Sequence, residues 1–154
     1  MLACSPPTDQ PAVPDEDPAL KTIMAVFAHP DDETTVSPIL ARLAEEGHSV
    51  HLVITTDGRH GVTDHAGIPA GDSLIQVRIL EAQCSCDKLG IEPPIFLALH
   101  DGLKGTEGMD GIFPQLQEMQ EKLLATIERI DPDVVITFGP DGDSGHPDHR
   151  LTGA

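Results

Sequence analysis

Short, almost continuous apolar runs alternate along this chain with longer segments whose apolar residues recur at helical spacing. The runs have strand length and read TIMAVFA, SVHLVITT, IFLAL and DVVITF. Amphipathic segments separate them, and the last one places five apolar residues on one face: Leu116, Met119, Leu123, Ile127 and Ile130. Apolar strands separated by helices are typical of a parallel sheet covered on both faces. The sequence therefore predicts an α/β fold, a Rossmann-like open parallel sheet.

The two ends of the chain differ in composition from its body. Residues 1–20 contain five prolines, four acidic residues and no basic residue, which predicts a flexible leader before a single domain over 21–154. The opening letters MLACSPP resemble the end of a bacterial lipoprotein signal. Two interpretations stay open: an exported or lipid-anchored protein with a signal remnant at Cys4, and a cytoplasmic protein in which Cys4 is incidental.

Charge and aromatic content exclude some classes of partner. Asp and Glu number 26 against 9 Lys and Arg, giving a net charge of −17, and aromatic residues make up only 3%. Such a surface repels nucleic-acid phosphates and lacks platforms for base stacking, so we expect no nucleic-acid partner. No apolar run approaches the ~18 residues typical of a membrane span, so we expect no transmembrane segment.

Residues that can bind metals follow two of the predicted strands. The cluster directly after the first strand contains His29, Asp31, Asp32 and Glu33, and the cluster after the fourth contains His146, Asp148 and His149. In an open parallel sheet, ligands bind beyond the carboxyl ends of the strands, where the strand order reverses. A strand order of 3-2-1-4 would bring these two clusters together, and we predict that order.

The spacing within each cluster suggests a division of labour. A helical turn starting at the proline after His29 would place His29 and Asp32, three residues apart, on one side to share an ion. Asp31 then points elsewhere, which suits a base that takes a proton from water. His146 and His149 repeat the spacing, so one could bind metal while the other faces substrate. Two imidazoles and one carboxylate suit a catalytic zinc ion, and Fe²⁺ suits the same set.

Five sequence motifs carry a family resemblance. AHPDDE after the first strand and HPDH after the fourth resemble the PIG-L-like (LmbE-like) zinc-dependent de-N-acetylases, which remove acetyl from N-acetylglucosamine groups. TTDG, RILEA and HDG extend the match, which runs from Thr22 to the C-terminus. The resemblance implies a metal-dependent hydrolase that acts on an N-acetylated sugar or glycoconjugate and releases acetate and a free amine.

The resemblance also implies a role for individual residues. His29, Asp32 and His149 would bind zinc, Asp31 would be the general base, and His146 would stabilise the oxyanion or the leaving group. Two further residues match positions that in relatives contact sugar hydroxyls or hold the pocket, namely Arg78 and Asp101. Without the resemblance, an arginine such as Arg78 is more often a surface or salt-bridged helix residue, and an aspartate such as Asp101 is more often a turn former before a glycine.

Some features of the chain leave alternatives open. The sequence stops within about a turn of a new helix after the fourth strand, where a doubly wound sheet usually continues, so we expect a C-terminally truncated domain. A second hypothesis is therefore an inactive relative that binds a metal or a sugar without turnover. The segment after the second strand is unusual, and its His60 and His65 would either reach the pocket or only decorate a loop. Association of this chain into a homo-oligomer is compatible with both the hydrolase and the inactive relative.

Overall fold

A computed structural model describes residues 19–102 and 109–154 of the chain. The leader predicted over 1–20 falls almost entirely outside these residues, because the description begins at residue 19. The strands are β1 (Thr22–Phe27), β2 (Ser49–Thr56), β3 (Ile95–Leu99) and β4 (Val134–Ile136). The helices are α1 (Ser37–Glu45), α2 (Asp72–Leu89), α3 (Met109–Ile130) and α4 (Pro147–Thr152).

The strands form one parallel sheet in the order β3-β2-β1-β4, which confirms the predicted topology. β1 lies in the middle, and its Ile23 pairs with Val50 of β2 on one side and with Val134 of β4 on the other. The order reverses between β1 and β4, since the chain runs outward through β2 and β3 and then returns to the other side. The ends of β1 and β4 therefore define the switch point of the sheet.

Apolar side chains pack on both faces of the sheet, as predicted. On one face, a buried cluster combines β1 and β2 with Leu40 of α1 and with Ala82 and Cys86 of α2. On the other face, Met24 and Val53 belong to a second cluster against which α3 packs. Because β1 and β2 are covered on both sides, their sequences must be apolar at nearly every position.

The structure differs from the sequence prediction at the ends of elements. Helix α3 begins at Met109, seven residues before Leu116, the first residue of the apolar face on which the helix was predicted. Burial of β4 was also predicted from its apolar run, but Val134 and Val135 are 44% and 48% exposed. Among the described residues β4 pairs only with β1, so apolar composition alone did not reveal that this strand has an open edge.

Helix α2 presents its cysteines to different surroundings. Cys84 is exposed and Cys86 is buried, so the two thiols point in different directions. Leu80 of the same helix is 65% exposed. In the part of the chain that the structure describes, neither α2 nor any other helix combines the length and apolarity needed to cross a membrane.

Candidate metal centre

The clusters that follow β1 and β4 meet at the switch point of the sheet. His29 and His149 are 120 residues apart in sequence, yet His29 Nδ1 lies 3.2 Å from His149 Nε2. The rings of His29 and His146 also approach, with centroids 5.0 Å apart. These side chains line an open cleft of about 380 Å³, together with Asp31 and Asp32.

The turn after β1 is not the helical turn that the spacing predicted. A 3-10 turn begins only at Asp32 and extends to Thr35, and the residue before it, Asp31, has a left-handed backbone with φ 104°. His29 and Asp32 still meet, because Asp32 Oδ2 accepts a hydrogen bond from the His29 backbone N–H at 2.7 Å. The positive φ of Asp31 is unfavourable for a residue with a Cβ, and it directs the Asp31 side chain away from that of Asp32.

Three donor groups lie at distances that suit a single metal ion. Oxygens of Asp32 lie 3.5 Å from His29 Nδ1 and 3.3 Å from His149 Nε2, and the two nitrogens are 3.2 Å apart. Ligands bound tetrahedrally at ~2.0–2.1 Å stand about 3.3 Å from one another. The residues present therefore fit a divalent ion such as zinc.

Hydrogen bonds orient the ring of His149 for such a role. Its Nδ1 lies 3.2 Å from the carbonyl oxygen of Gly142, and because a carbonyl only accepts, the proton of the neutral ring is on Nδ1. Nε2 then presents its lone pair towards His29 and Asp32. The ring also stacks on Phe138, with centroids 4.2 Å apart and planes 2° from parallel. Ring orientation is thus fixed by both a hydrogen bond and packing.

The second ring nitrogen of His29 faces two carboxylates. Asp101 Oδ1 and Asp148 Oδ2 each lie 3.3 Å from His29 Nε2. Asp148 is fully buried and also accepts a hydrogen bond from the Gly102 N–H at 2.8 Å. The sequence placed Asp148 in the cluster after the fourth strand but assigned it no role, although its place between the two histidines of HPDH was a signal. Asp101 was assigned to substrate by resemblance, and its carboxylate points to His29.

Three donor sets therefore share His29. Asp32 and His149 lie on its Nδ1 side and open on the cleft. His146 and His149 form a further set with His29 on the same cleft. Asp101 and Asp148 lie on the Nε2 side. Asp148 has no accessible surface, and backbone N–H groups already occupy oxygens of both carboxylates. The Nδ1 side is consequently the side where an ion can meet a substrate, and the Nε2 carboxylates orient the ring.

The carboxylates around His29 shift the pKa values of the groups in this site. Burial opposes the charged form of His29, but hydrogen bonds with Asp101, Asp148 and Asp32 outweigh it and raise the pKa of His29 to about 11. Burial likewise opposes ionisation of Asp32, but its hydrogen bonds with His29 hold its pKa below the usual value. Carboxylates around one imidazole thus create a site that favours positive charge.

His146 stands at the start of α4. The Asp148 backbone N–H donates to His146 Nδ1 at 3.3 Å, so the neutral ring carries its proton on Nε2. The neutral ring in this tautomer is a hydrogen-bond donor through Nε2, which is compatible with the oxyanion or leaving-group role that the resemblance implied. His146 lines the same cleft as His29 and His149.

Asp31 forms an ion pair with Arg78, which reaches it from α2. The guanidinium lies against two glycines: a Cβ at Gly61 would stand 2.6 Å from Arg78 Nη1, and one at Gly58 would stand 2.9 Å from it. The Asp31 side chain is 62% exposed, but the protein around it still removes part of the water from its carboxyl group. This partial desolvation raises the pKa of Asp31, and the positive charge of Arg78 opposes the rise. A raised pKa suits a carboxylate that accepts a proton near neutral pH.

The two histidines of the unusual segment after β2 have different positions. His60 lines the cleft, and its backbone N–H donates to Asp101 Oδ2 at 2.8 Å. His65 is exposed and is not among the residues that line the cleft. The structure therefore brings one of the two to the site.

Fold and site together define an α/β protein with a cluster of candidate metal-binding residues at the switch point of its parallel sheet. The profile of the PIG-L family, described as GlcNAc-PI de-N-acetylase, matches residues 24–154. The chain belongs to this family of metal-dependent deacetylases.

Individual relatives agree with this assignment. A 1D-myo-inositol 2-acetamido-2-deoxy-alpha-D-glucopyranoside deacetylase of Rhodococcus erythropolis is 38% identical over 144 residues, covering 84% of this chain and 49% of the relative. An N,N'-diacetylchitobiose deacetylase of Pyrococcus horikoshii, solved with an inhibitor, superposes with a TM-score of 0.69 at 28% identity, covering 88% of this chain and 47% of that one. This chain spans about half the length of the curated relatives it matches.

The fold alone does not define the reaction. A 4-carboxy-2-hydroxymuconate hydratase of Pseudomonas putida superposes almost as well, with a TM-score of 0.68 at 20% identity, covering 86% of this chain and 52% of that one. At that identity the likeness concerns the fold only. Any functional conclusion has to come from the residues of the site.

Proposed function

We propose that this chain is a metal-dependent hydrolase that removes the acetyl group from an N-acetylglucosamine-type amide of a small sugar or glycoconjugate. The observation that carries the proposal is the mutual distance of 3.2–3.5 Å between donor atoms of His29, Asp32 and His149. Asp31 lines the same cleft without belonging to that donor set. The printed activities of the Rhodococcus and Pyrococcus relatives support the choice of an acetamide as substrate.

We assign His29, Asp32 and His149 as the residues that hold the metal. Two imidazoles and one carboxylate with an open position are typical of catalytic zinc, which we propose as the ion, and Fe²⁺ suits the same donors. When bound, zinc supplies an acidified water and polarises the acetyl carbonyl. Asp101 and Asp148 keep the His29 ring in place by holding its Nε2.

Asp31 is the proposed general base. It accepts a proton as the water oxygen attacks the acetyl carbon, and the bond between that carbon and nitrogen then breaks. Its carboxylate is within the cleft, and Arg78 holds it in position there. Because Arg78 also lines the cleft, its guanidinium has donors for a sugar hydroxyl beside the base.

His146 is the proposed partner of the negative charge that develops on the acetyl oxygen. With its Nδ1 accepting from Asp148 N–H, its Nε2 proton is the one available for donation. A donor that is already oriented stabilises this charge at little cost in reorganisation. The leaving nitrogen takes up one proton, and both Asp31 and His146 line the cleft from which it comes.

Acetate release from a panel of N-acetylated sugars, with the metal content measured on the same preparation, tests this function. We expect release that stops on chelation and returns with zinc. Asp31→Ala should lower the rate by about 10²–10⁴ while keeping its metal. Asp87→Ala, an exposed change on α2, is the control and should behave as wild type. Acetate release that is unchanged by chelation, or unchanged in Asp31→Ala, would overturn the proposed function.

The exposed β4 valines favour a second candidate. Val134 and Val135 form an apolar edge on β4 and are 44% and 48% exposed. A protein that binds a metal or a sugar without turnover is compatible with such an edge. Binding of an N-acetylated sugar, measured by calorimetry on a metal-loaded sample that releases no acetate, would select this candidate over the hydrolase.

A further inference from the structure

A second carboxylate lies behind the Asp31 turn, and the chemistry proposed above does not use it. The Glu33 residue, on the 3-10 turn, is only 3% exposed. Its Oε2 accepts a hydrogen bond from the Asp31 backbone N–H at 2.9 Å. Its Oε1 accepts one from the Ser85 hydroxyl of α2 at 2.8 Å. One oxygen therefore holds the backbone of Asp31, and the other connects that backbone to a helix.

The conformation of Asp31 requires such support. With φ at 104°, this residue occupies a backbone region that side-chain-bearing residues avoid, and it persists only where the surroundings impose it. A buried carboxylate is also unfavourable unless its oxygens are hydrogen-bonded. The hydrogen bond between the Asp31 N–H and Glu33 serves both residues: it supports the strained backbone of Asp31, and it provides a donor for the buried carboxylate of Glu33.

Helix α2 contacts this turn at two points. Arg78 and Ser85 are seven residues apart, which is close to two helical turns, so they lie on the same face of α2. Arg78 pairs with the Asp31 carboxylate, and Ser85 binds Glu33, which in turn binds the Asp31 backbone. Helix α2 thus holds the side chain of Asp31 through Arg78 and its main chain through Ser85 and Glu33.

We propose that Glu33, with Ser85 as its partner, is a positioning residue that holds Asp31 in the orientation its role as a base requires. Its catalytic consequence rests on the proposed function. Glu33 is not among the residues that line the cleft, and its side-chain oxygens accept from the Asp31 N–H and the Ser85 hydroxyl, so its effect on the reaction would pass through Asp31.

A double-mutant cycle on the full chain separates positioning from general structure. Glu33→Ala should lower kcat for acetate release about tenfold to a hundredfold, with metal content retained and KM changed less than about twofold. In an Asp31→Ala background the same change should have no further effect on kcat. Equal losses in both backgrounds would overturn the proposal, because a purely structural role does not depend on Asp31.

Conservative variants keep the test decisive if Glu33→Ala folds poorly. Glu33→Gln can accept from the Asp31 N–H through its amide oxygen and donate to Ser85 through its amide nitrogen, so kcat should stay within about threefold of wild type. Ser85→Ala should lower kcat severalfold. Cys84→Ala, an exposed change beside Ser85, is the matched control. A Glu33→Gln variant as slow as Asp31→Ala would contradict the positioning role.

Amide hydrogen exchange gives a readout that does not need activity. The Asp31 amide should be protected in wild type and in Glu33→Gln, and should exchange at least about tenfold faster in Glu33→Ala or Ser85→Ala, while β1 amides are unchanged. If wild type releases no acetate, the proposed function fails, but the exchange result still decides whether Glu33 holds Asp31. Unchanged Asp31 exchange in Glu33→Ala would overturn the inference.

Discussion

The two ring nitrogens of His29 have different partners, and this difference explains why one imidazole can serve a metal site. Nδ1 faces Asp32 and His149, and Nε2 faces Asp101 and Asp148. Carboxylates on the far nitrogen make an imidazole a better electron donor and fix its tautomer. Asp101 and Asp148 therefore contribute to the candidate metal centre by orienting His29, although they are not proposed ligands.

Asp148→Asn tests this contribution at the scale of one residue. The amide keeps the shape of the side chain but removes the negative charge beside His29 Nε2. We expect zinc affinity to fall about 10–100-fold, measured by competition with a chelator of known affinity. Asp143→Asn, an exposed change in the loop that precedes α4, should leave the affinity unaltered. Equal affinities for Asp148→Asn and wild type would show that Asp148 does not tune the ring.

Gly61→Ala tests how closely the loop after β2 fits Arg78. Gly61 does not have a positive φ, so alanine is compatible with its backbone, but the new Cβ would lie 2.6 Å from Arg78 Nη1. The guanidinium must then move away from Asp31. We expect kcat/KM for acetate release to fall by about tenfold with a thermal midpoint near that of wild type. Ala70→Gly, exposed in the same loop, is the control, and an unchanged kcat/KM would contradict the account.

At the scale of elements, Asp57 connects the ends of two neighbouring strands. It follows β2, accepts hydrogen bonds from Arg59, including Nη2 at 2.6 Å, and accepts one from the Asp101 N–H beyond β3 at 3.3 Å. Burial opposes ionisation of Asp57, but these donors outweigh it and hold its pKa below the usual 3.8. The charged form is therefore favoured in the folded protein.

Asp57→Asn should consequently change the pH dependence of stability. Because the folded pKa lies below the unfolded one, the contribution of Asp57 is fully present above about pH 4 and is lost as the pH falls through the folded pKa. We expect the variant to be less stable by about 1 kcal/mol at pH 7, since the pair is partly exposed, and the difference to shrink below pH 4. Denaturant unfolding at both pH values measures it, and a difference that grows in acid would contradict this assignment.

Strand composition predicted the elements well where burial is complete and less well elsewhere. β1 and β2 lie between two layers of side chains, so nearly every position had to be apolar and the pattern was unambiguous. β4 has a similar pattern but exposed valines, because the sequence of a strand does not record which neighbours cover it. The Asp31 turn was also beyond prediction, since its positive φ depends on Glu33 and α2 rather than on local spacing.

At the scale of the whole molecule, topology explains why residues far apart in sequence could be paired in advance. The carboxyl ends of β1 and β4 must meet once the strand order is 3-2-1-4, so the encounter of His29 with His149 followed from that order. The contact of Asp101 with His29 did not follow, because β3 is separated from β1 by β2. Such a contact depends on side-chain reach over an intervening strand.

The central claim is that one divalent ion is held between the loops after β1 and β4 by His29, Asp32 and His149. The most direct test is zinc stoichiometry after dialysis, compared between wild type and the single alanine variants of these residues, with Asp31→Ala as a variant that keeps the donor set. We predict one tightly bound zinc per chain in wild type and in Asp31→Ala, and its loss in each of the other variants, all folded by circular dichroism. Retention of stoichiometric zinc in the single alanine variant of His29, Asp32 or His149 would contradict the account.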